Sequence, residues 1–190
     1  MNLPTPELFT IGHSNHPIEL FLEVLGRHGI RSVADVRSRP YSRFVPHFSK
    51  EPLERLLRAQ GIGYLYFGLE LGGKPVRGEA SSGAADYTSR VAEPGFRAGI
   101  ERLLAAASEQ RIALLCRERD PLDCHRFHLI CRYLTPLGPD IRHILPSGAL
   151  EPQDATERRL LERAGPAALP LFESDGALER AYDSWWQKAR

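Results

Sequence analysis

Short apolar runs alternate along the chain with stretches in which apolar residues recur every three or four positions. Five of these runs have the length and character of strands, and they cover residues 8–12, 32–37, 64–67, 112–116 and 141–145. The stretches between them carry the spacing of amphipathic helices. Strands that alternate with helices predict βαβ units and a mostly parallel sheet. The pattern therefore predicts an α/β fold, a single three-layer domain with a sheet of about five strands and helices on both faces.

Proline, serine and aspartate residues mark the expected ends of the helices. Pro17 suits the first position of the helix after the first strand, and Ser49 suits the N-cap of the second helix. Asp123 suits the N-cap of the helix after the fourth strand, and Pro94 should interrupt the long helical stretch before that strand. The tandem Trp185–Trp186 should dock the C-terminal helical region on the core.

The composition restricts the class of protein. The chain has 190 residues, of which 42% are hydrophobic and 26% charged, as in a globular domain rather than a disordered chain. Because the formal net charge is +1, nucleic-acid binding would need a local basic patch. Three irregularly spaced cysteines favour reduced thiols, and no signal-peptide pattern opens the sequence. No apolar run approaches the roughly 20 residues of a membrane span, so a cytoplasmic protein with no membrane partner is expected.

Polar residues follow each of the first four predicted strands. The carboxyl ends of parallel strands meet at one edge of the sheet, and ligands of α/β proteins bind there. Arg37, Arg39 and Arg43 share one loop with interleaved aromatic residues, a pattern that favours an anion or phosphate site. The loops at the opposite edge are ordinary turns. This asymmetry indicates a functional site at the carboxyl ends of the strands.

The residue types in these loops favour an enzyme, a hydrolase or a transferase, that acts on a phosphate-bearing ligand such as a nucleotide or a nucleic acid. Carboxylates and imidazoles exchange protons, and a thiol near a helix start and arginines is acidified. The expected catalytic residues are His13, Asp35, Glu118, Cys124 and His125. The expected ligand-binding residues are Ser14, Asn15, Arg37, Arg39, Ser42, Arg43, Gly72, Gly73, Cys116 and Arg126.

Spacing weighs against several cysteine chemistries. A cysteine phosphatase needs an arginine six positions after its cysteine, but Leu122 follows Cys116 at that distance and an isoleucine follows Cys124. A sulfur-transfer enzyme would share the strand–cysteine–loop–helix layout and stays an alternative, although the loop here is acidic. Zinc ligation by Cys116, Cys124, His125 and His13 lacks the usual Cys-x2-Cys spacing. No cofactor is therefore expected, and zinc is the less favoured alternative.

The same polar residues are also compatible with other roles. A non-catalytic module could bind nucleic acid or a small anion through the arginines, and a purely structural protein could pair the charges internally. Asp35 could be a buried partner of Arg37 rather than a catalytic group. Segment 74–85 could be a lid or a surface excursion. The sequence leaves the oligomeric state open.

Four separated motifs give the chain a resemblance to a known family. They are Thr10-Ile11-Gly12-His13-Ser14-Asn15, the segment from Val33 to Arg43, Leu71-Gly72-Gly73, and the segment from Leu115 to Arg126. Together they resemble the bacterial family catalogued as domain of unknown function 488. The resemblance implies one α/β domain and brings no established reaction. We therefore expect a single domain over residues 1–190, with a family-like core at about 8–146 and a C-terminal helical extension at 151–190.

Overall fold

The computed structural model describes residues 6–73, 86–165 and 176–188, and the structural statements below concern those ranges. The strands are β1 (Glu7–Gly12), β2 (Ser32–Asp35), β3 (Gly63–Tyr66), β4 (Ile112–Cys116), β5 (Asp140–Ile144) and β6 (Leu150–Pro152). They form one sheet in the order β3-β2-β4-β1-β5-β6. The first five strands pair in parallel, whereas β6 pairs antiparallel with β5. The predicted α/β fold with a mostly parallel sheet is confirmed.

β1 begins one residue earlier than predicted, and β3 and β5 are displaced by one residue, whereas β6 and β2 differ more. The sequence does not predict β6, because its three residues begin just after the Gly148 turn, end at Pro152 and are too few to show a period. β2 ends at Asp35 and not at Arg37. The Arg37 backbone turns there so that its own N–H donates to the Asp35 carboxylate at 3.1 Å. This turn brings the Arg37 side chain back over the end of the strand.

Helices cover the sheet between these strands. They are α1 (Ile18–Arg27), α2 (Lys50–Ala59), α3 (Tyr87–Ala92), α4 (Pro94–Glu109), α5 (Arg132–Leu134), α6 (Gln153–Ala164) and α7 (Ala177–Lys188). Pro94 opens α4, so the predicted interruption is confirmed. Ser49 precedes α2 but is no side-chain cap, because its hydroxyl accepts the N–H of Ser42 at 3.2 Å instead.

The predicted helix start at Asp123 is wrong. Asp120 caps a single 3-10 turn, Pro121–Asp123, by accepting the N–H of Leu122 at 2.9 Å. The turn therefore closes earlier than predicted, as an aspartate followed by proline favours. The regular helix begins only at Arg126 as a π-helical segment, Arg126–Cys131, which continues into α5. The loop between β4 and this helix is therefore longer than the sequence pattern indicates.

Apolar side chains form a core on each face of the sheet. Phe96 of α4 belongs to one core, whereas Phe21 of α1 and Leu53 of α2 belong to the other. The central strand β4 contributes to both, since Leu114 packs into the first core and Leu115 into the second. A parallel strand that is covered on both faces has this continuous apolar character. The described residues thus form three layers.

The C-terminal helices α6 and α7 pack against the helix that follows β4. A small apolar cluster joins them and consists of Leu122, Phe127, Leu160, Ala181 and Tyr182. Trp185 stacks on His128 with ring centroids 4.5 Å apart and planes 9° apart, and Trp186 packs against the core that contains Phe96. The tryptophans dock α7 as predicted. Among the described helices, none combines the length and the apolar character that a membrane crossing requires.

Candidate functional site

A cavity of about 470 Å³ lies beside the carboxyl ends of β2 and β4. Its lining residues are His13, Arg37, Ser38, Arg39, Tyr41, Ser42, Gly73, Cys116, Arg117, Glu118, Asp123, His125 and Trp185. Apart from Trp185 of α7, these residues end or follow the first four strands. Residues distant in sequence therefore meet at the sheet edge to which the sequence assigns a site.

Asp35 and Arg37 form a buried ion pair at one wall of the cavity. The Asp35 side chain is 0% exposed and that of Arg37 6%, and their charged atoms approach to 2.6 Å. The Asp35 carboxylate also accepts the hydroxyl of Tyr64 at 2.6 Å. Arg37 Nη1 donates to the carbonyl of Phe48 at 2.8 Å. The structure thus places Asp35 as the partner that fixes the Arg37 guanidinium, the alternative that the sequence left open.

His13 supports the same guanidinium. Its Nδ1 lies 2.8 Å from the carbonyl oxygen of Ser14, which only accepts, so Nδ1 carries the proton. Its Nε2 then accepts from Arg37 Nη1 at 3.1 Å. Burial and the Arg37 charge lower the pKa of His13 to about 4. At neutral pH the ring is uncharged and both of its nitrogens are engaged, which favours a positioning role over proton donation.

Two thiols, a carboxylate and an imidazole form a compact group at the floor of the cavity, which we call the thiol cluster (Cys116, Glu118, Cys124 and His125). Cys116 Sγ lies 3.0 Å from Glu118 Oε2 and 3.5 Å from His125 Nδ1. Cys124 Sγ lies 3.2 Å and 3.9 Å from the same two atoms. All four donor atoms lie within 4.8 Å of one another. Four of the predicted site residues are therefore in mutual contact.

The His125 ring is held in one orientation. Its Nε2–H donates to the carbonyl of Val36 at 3.1 Å, so the lone pair of Nδ1 faces the thiols. Gly73 packs on this ring so closely that a Cβ there would lie 2.8 Å from His125 Cγ. Burial alone would lower the pKa of His125. The hydrogen bond to Cys124 and the negative charges of Cys124 and Glu118 outweigh burial, so the pKa of His125 is raised.

The two thiols of the cluster differ in acidity. Burial raises the pKa of Cys116, and the neighbouring Cys124 and Glu118 raise it further. Burial also opposes ionisation of Cys124, but hydrogen bonding from Cys116 and the charge of Arg126 outweigh it, so the pKa of Cys124 is well below its usual value. The backbone N–H of Arg126 donates to Cys124 Sγ at 3.4 Å. The thiol with the lowered pKa is therefore not the one that borders the cavity, because only Cys116 of the two lines it.

Gly12 and Arg126 fix the loop that carries Glu118. A Cβ on Gly12 would lie 1.8 Å from the carbonyl oxygen of Glu118, so only glycine lets the loop approach β1 this closely. The Arg126 side chain is 0% exposed, and its Nη1 and Nη2 donate to the carbonyls of Glu118 and Arg119 at 2.8 and 3.3 Å. Arg126, predicted to bind ligand, lies behind the loop and outside the cavity lining.

The rim of the cavity carries exposed cations. Arg39 is exposed, and within the described ranges it has no ion pair. The Arg117 side chain is 76% exposed, and its Nε lies 3.5 Å from Glu118 Oε1. Ser42 also lines the cavity, and its hydroxyl accepts the N–H of Val45 at 3.1 Å in the turn that follows. Arg39 and Ser42, both predicted to bind ligand, thus line the cavity.

Other predicted residues lie outside the cavity lining. Ser14 adopts a left-handed backbone with φ of 46°, and its hydroxyl donates to Asn15 Oδ1 at 3.2 Å. Arg43 is exposed, and neither it nor Gly72 borders the cavity. Segment 74–85, for which the sequence leaves a lid and a surface excursion open, falls outside the described residues.

The predicted site residues do not include five residues of the lining, Ser38, Tyr41, Arg117, Asp123 and Trp185, nor Gly12, which packs against the Glu118 loop. Trp185 lines the cavity, although docking of the C-terminal region is the role that the sequence favours for it. Gly12 lies within a quoted motif, and its close approach to the Glu118 loop becomes evident only once β1 and β4 are adjacent. The signal that could have found Gly12 is a glycine at the end of a strand, where backbone contacts are close.

The geometry can be compared with known proteins. A family model described as "Domain of unknown function DUF488" matches residues 17–134. No curated protein and no solved structure matches the chain. The matched range includes the arginine-rich loop after β2 and the whole thiol cluster, whereas β1 and α7 lie outside it.

Proposed function

The chain belongs to the DUF488 family, whose description names no function, and we propose that it is an enzyme that binds a phosphate-bearing ligand in the cavity described above. The ligand would be a nucleotide or a nucleotide unit of a nucleic acid. The observation that carries this proposal is the lining of one cavity. It combines the Arg39 guanidinium, which has no ion pair within the described residues, two aromatic rings and three of the four residues of the thiol cluster.

Arg39 supplies the attraction for phosphate. Its guanidinium has no acidic partner within the described ranges, so a bound anion would not have to displace one. Ser42, which carries a hydroxyl, lines the same cavity. A planar guanidinium beside hydroxyl groups is a usual combination for recognising phosphate oxygens. Arg37 adds positive charge nearby, although its donors are already engaged.

Tyr41 and Trp185 supply surfaces for a planar base. Tyr41 is 71% exposed, and Trp185 is held in place by stacking on His128. A ring that is fixed from behind can stack a base without losing much side-chain entropy, and base–aromatic stacking contributes about 1–3 kcal/mol. A ligand with both a phosphate and a base would use both parts of the lining.

The thiol cluster supplies the chemistry, as a hydrolase or transferase would require. The Glu118 side chain is 29% exposed, whereas both cysteines of the cluster are buried, and its carboxylate accepts from both thiols. It is therefore placed to take a proton from a ligand or from water. Cys116 and His125 border the cavity beside it.

Binding can be tested with nucleoside 5′-monophosphates and short single-stranded oligonucleotides by titration calorimetry. We expect Arg39→Gln to weaken binding about 10- to 100-fold, because a charge-assisted hydrogen bond contributes about 1.5–3 kcal/mol. Arg55→Gln is the matched control, since Arg55 is also exposed and without an ion pair in the described ranges. Equal affinities for the two variants would contradict the proposal.

Catalysis is tested separately from binding. Conversion of a bound nucleotide, followed by chromatography, should stop in Glu118→Gln while the affinity changes little. Salt-dependent binding with no conversion by the unaltered protein would instead support a non-catalytic nucleic-acid or anion-binding module.

A further inference from the structure

The thiol cluster has the donor atoms and the spacing of a transition-metal site. Two sulfurs, one imidazole nitrogen and one carboxylate oxygen converge on a single point, and all four lie within 4.8 Å of one another. We propose that Cys116, Glu118, Cys124 and His125 bind one Zn²⁺ ion at the floor of the cavity. This assignment goes beyond the ligand proposed above and does not depend on it, because the donor atoms alone carry it.

The distances fit a tetrahedral ion. Zinc–ligand bonds of about 2.0–2.3 Å imply about 3.4–3.8 Å between neighbouring donor atoms of a tetrahedron. The Sγ atoms of Cys116 and Cys124 lie 3.5 and 3.9 Å from His125 Nδ1. The same atoms lie 3.0 and 3.2 Å from Glu118 Oε2. These four distances lie within a few tenths of an ångström of that range. The other two donor–donor distances are at most 4.8 Å, so binding an ion would also draw those pairs together by up to about 1 Å.

The His125 ring is already oriented as a ligand. A metal-binding histidine normally donates its other ring N–H to a carbonyl or carboxylate, which fixes the ring and directs its lone pair at the ion. His125 Nε2 has such a partner in the carbonyl of Val36 at 3.1 Å. The ring is also confined on one side by Gly73. The lone pair of Nδ1 consequently points between the two sulfurs.

The surroundings of the sulfurs suit thiolates. The Arg126 N–H donates to Cys124 Sγ at 3.4 Å, and the fully buried Arg126 guanidinium holds the loop that carries Glu118. Two thiolates, a carboxylate and a neutral imidazole carry three negative charges, which a divalent cation and the nearby guanidinium balance. Cysteine and histidine donors select zinc over magnesium or calcium, which prefer oxygen ligands.

From the sequence alone, the zinc alternative has His13 as its fourth ligand. His13 is excluded from that role because Arg37 donates to its Nε2 and its Nδ1–H donates to Ser14. Glu118 takes its place. Because the Glu118 side chain is 29% exposed at the cavity, it is the ligand that water or a ligand oxygen could replace. The ion would then face the cavity.

The first test measures metal in the intact protein. The chain is purified without a chelator and without a histidine tag, and its metal content is determined by mass spectrometry. We expect about one zinc per chain, with two sulfur neighbours at about 2.3 Å in X-ray absorption spectra. Co²⁺ in place of zinc should give the strong visible bands of a tetrahedral site and a sulfur-to-cobalt charge-transfer band.

The second test assigns the ligands. Cys116→Ser and Cys124→Ser should each weaken zinc binding by more than about 100-fold in competition with a chromophoric chelator, since even a hydrogen-bond partner of a ligand is worth about 10- to 100-fold. Cys131→Ala is the matched control, because Cys131 is equally buried but outside the cluster, and it should keep the zinc. Circular dichroism of every variant checks that it is folded.

Three outcomes would overturn the proposal. The unaltered protein would carry no stoichiometric metal and would fail to bind added Zn²⁺ or Co²⁺. A folded double variant, Cys116→Ser with Cys124→Ser, would bind zinc as tightly as the unaltered chain. Mass spectrometry would find a Cys116–Cys124 disulfide in freshly purified protein. None of these measurements uses a nucleotide, so the zinc site and the proposed function can fail independently.

Discussion

Replacing Asp35 by asparagine separates two roles for this residue. The substitution keeps the shape of the side chain but removes the negative charge that faces Arg37. If Asp35 is the buried partner of Arg37, the variant should lose stability. If Asp35 is instead only a catalytic group, the variant should lose activity and keep its stability.

The expected loss of stability is large because the carboxylate is buried and fully engaged. Asp35 accepts from Arg37 N, Nε and Nη2 at 3.1, 2.8 and 2.6 Å, and from the Tyr64 hydroxyl at 2.6 Å. Removing one partner of a buried ion pair costs about 3–5 kcal/mol, because the other charge stays buried. Total domain stabilities are about 5–15 kcal/mol. Asp35→Asn should therefore lose a large part of the free energy of unfolding.

Urea denaturation followed by circular dichroism measures this loss. The matched control is Glu54→Gln, which removes an exposed ion pair with Arg58 within α2, and we expect it to change stability little. The double variant Asp35→Asn with Arg37→Met should recover part of the loss, because it no longer leaves a charge buried without a partner. A decrease below about 1 kcal/mol for Asp35→Asn would refute this account of Asp35.

Two further substitutions test other parts of the structure. Gly12→Ala places a Cβ 1.8 Å from the Glu118 carbonyl, so it should cost about 1–3 kcal/mol or more in urea denaturation and displace the Glu118 loop. Gly26→Ala in α1, where a Cβ meets nothing within 4 Å, should instead stabilise the protein by about 0.5–1 kcal/mol. Equal effects of the two substitutions on stability would contradict the close approach of Gly12 to the Glu118 carbonyl. Burial lowers the pKa of His143 to about 3, below the unfolded value, so only the unfolded chain binds this proton as the pH falls from about 6.5 to 3. In that window this residue should lower the free energy of unfolding of the unaltered protein by about 1.4 kcal/mol for each pH unit. His143→Gln should reduce the slope of the unfolding free energy against pH by that amount. An unchanged slope would refute this expectation.

The fold follows from the sequence where apolar runs are long enough to be read. β4 is a continuous apolar run, and both cores of the sheet take alternate residues from it. β6 could not be predicted because it is short and borders a proline. The sequence pattern places the start of the helix after β4 too early. In the structure Asp120, not Asp123, accepts a backbone N–H, and it caps a 3-10 turn. Which backbone N–H the loop presents to an aspartate is not contained in a periodic pattern.

The edge of the sheet that carries the site could be predicted, because parallel strands bring their carboxyl ends together. The role of each side chain there could not. His13 and Arg126 have the residue types of a catalytic base and an anion ligand, yet both are engaged in fixing other groups. The two cysteines lie eight positions apart, a spacing that matches no familiar metal motif, and only the 3-10 turn before Cys124 folds the loop back on Cys116. The proposed ligand set is therefore a property of the loop and cannot be read from sequence spacing.

The buried charges around the cavity are better explained by positioning than by stability. Well-packed apolar residues in place of a buried ion pair are often as stable or more so. Arg37 is nevertheless fixed by Asp35 at the end of β2, and Arg126 holds the backbone carbonyls of the loop after β4. Both guanidiniums hold segments whose side chains line the cavity. Ligands of an ion must be held within about 0.5 Å of their productive positions. The fully buried Arg126 guanidinium fixes the loop and so meets that requirement for Glu118 in the proposed zinc site. An apolar side chain in place of Arg126 would leave the carbonyls of Glu118 and Arg119 without a donor and the loop free to move.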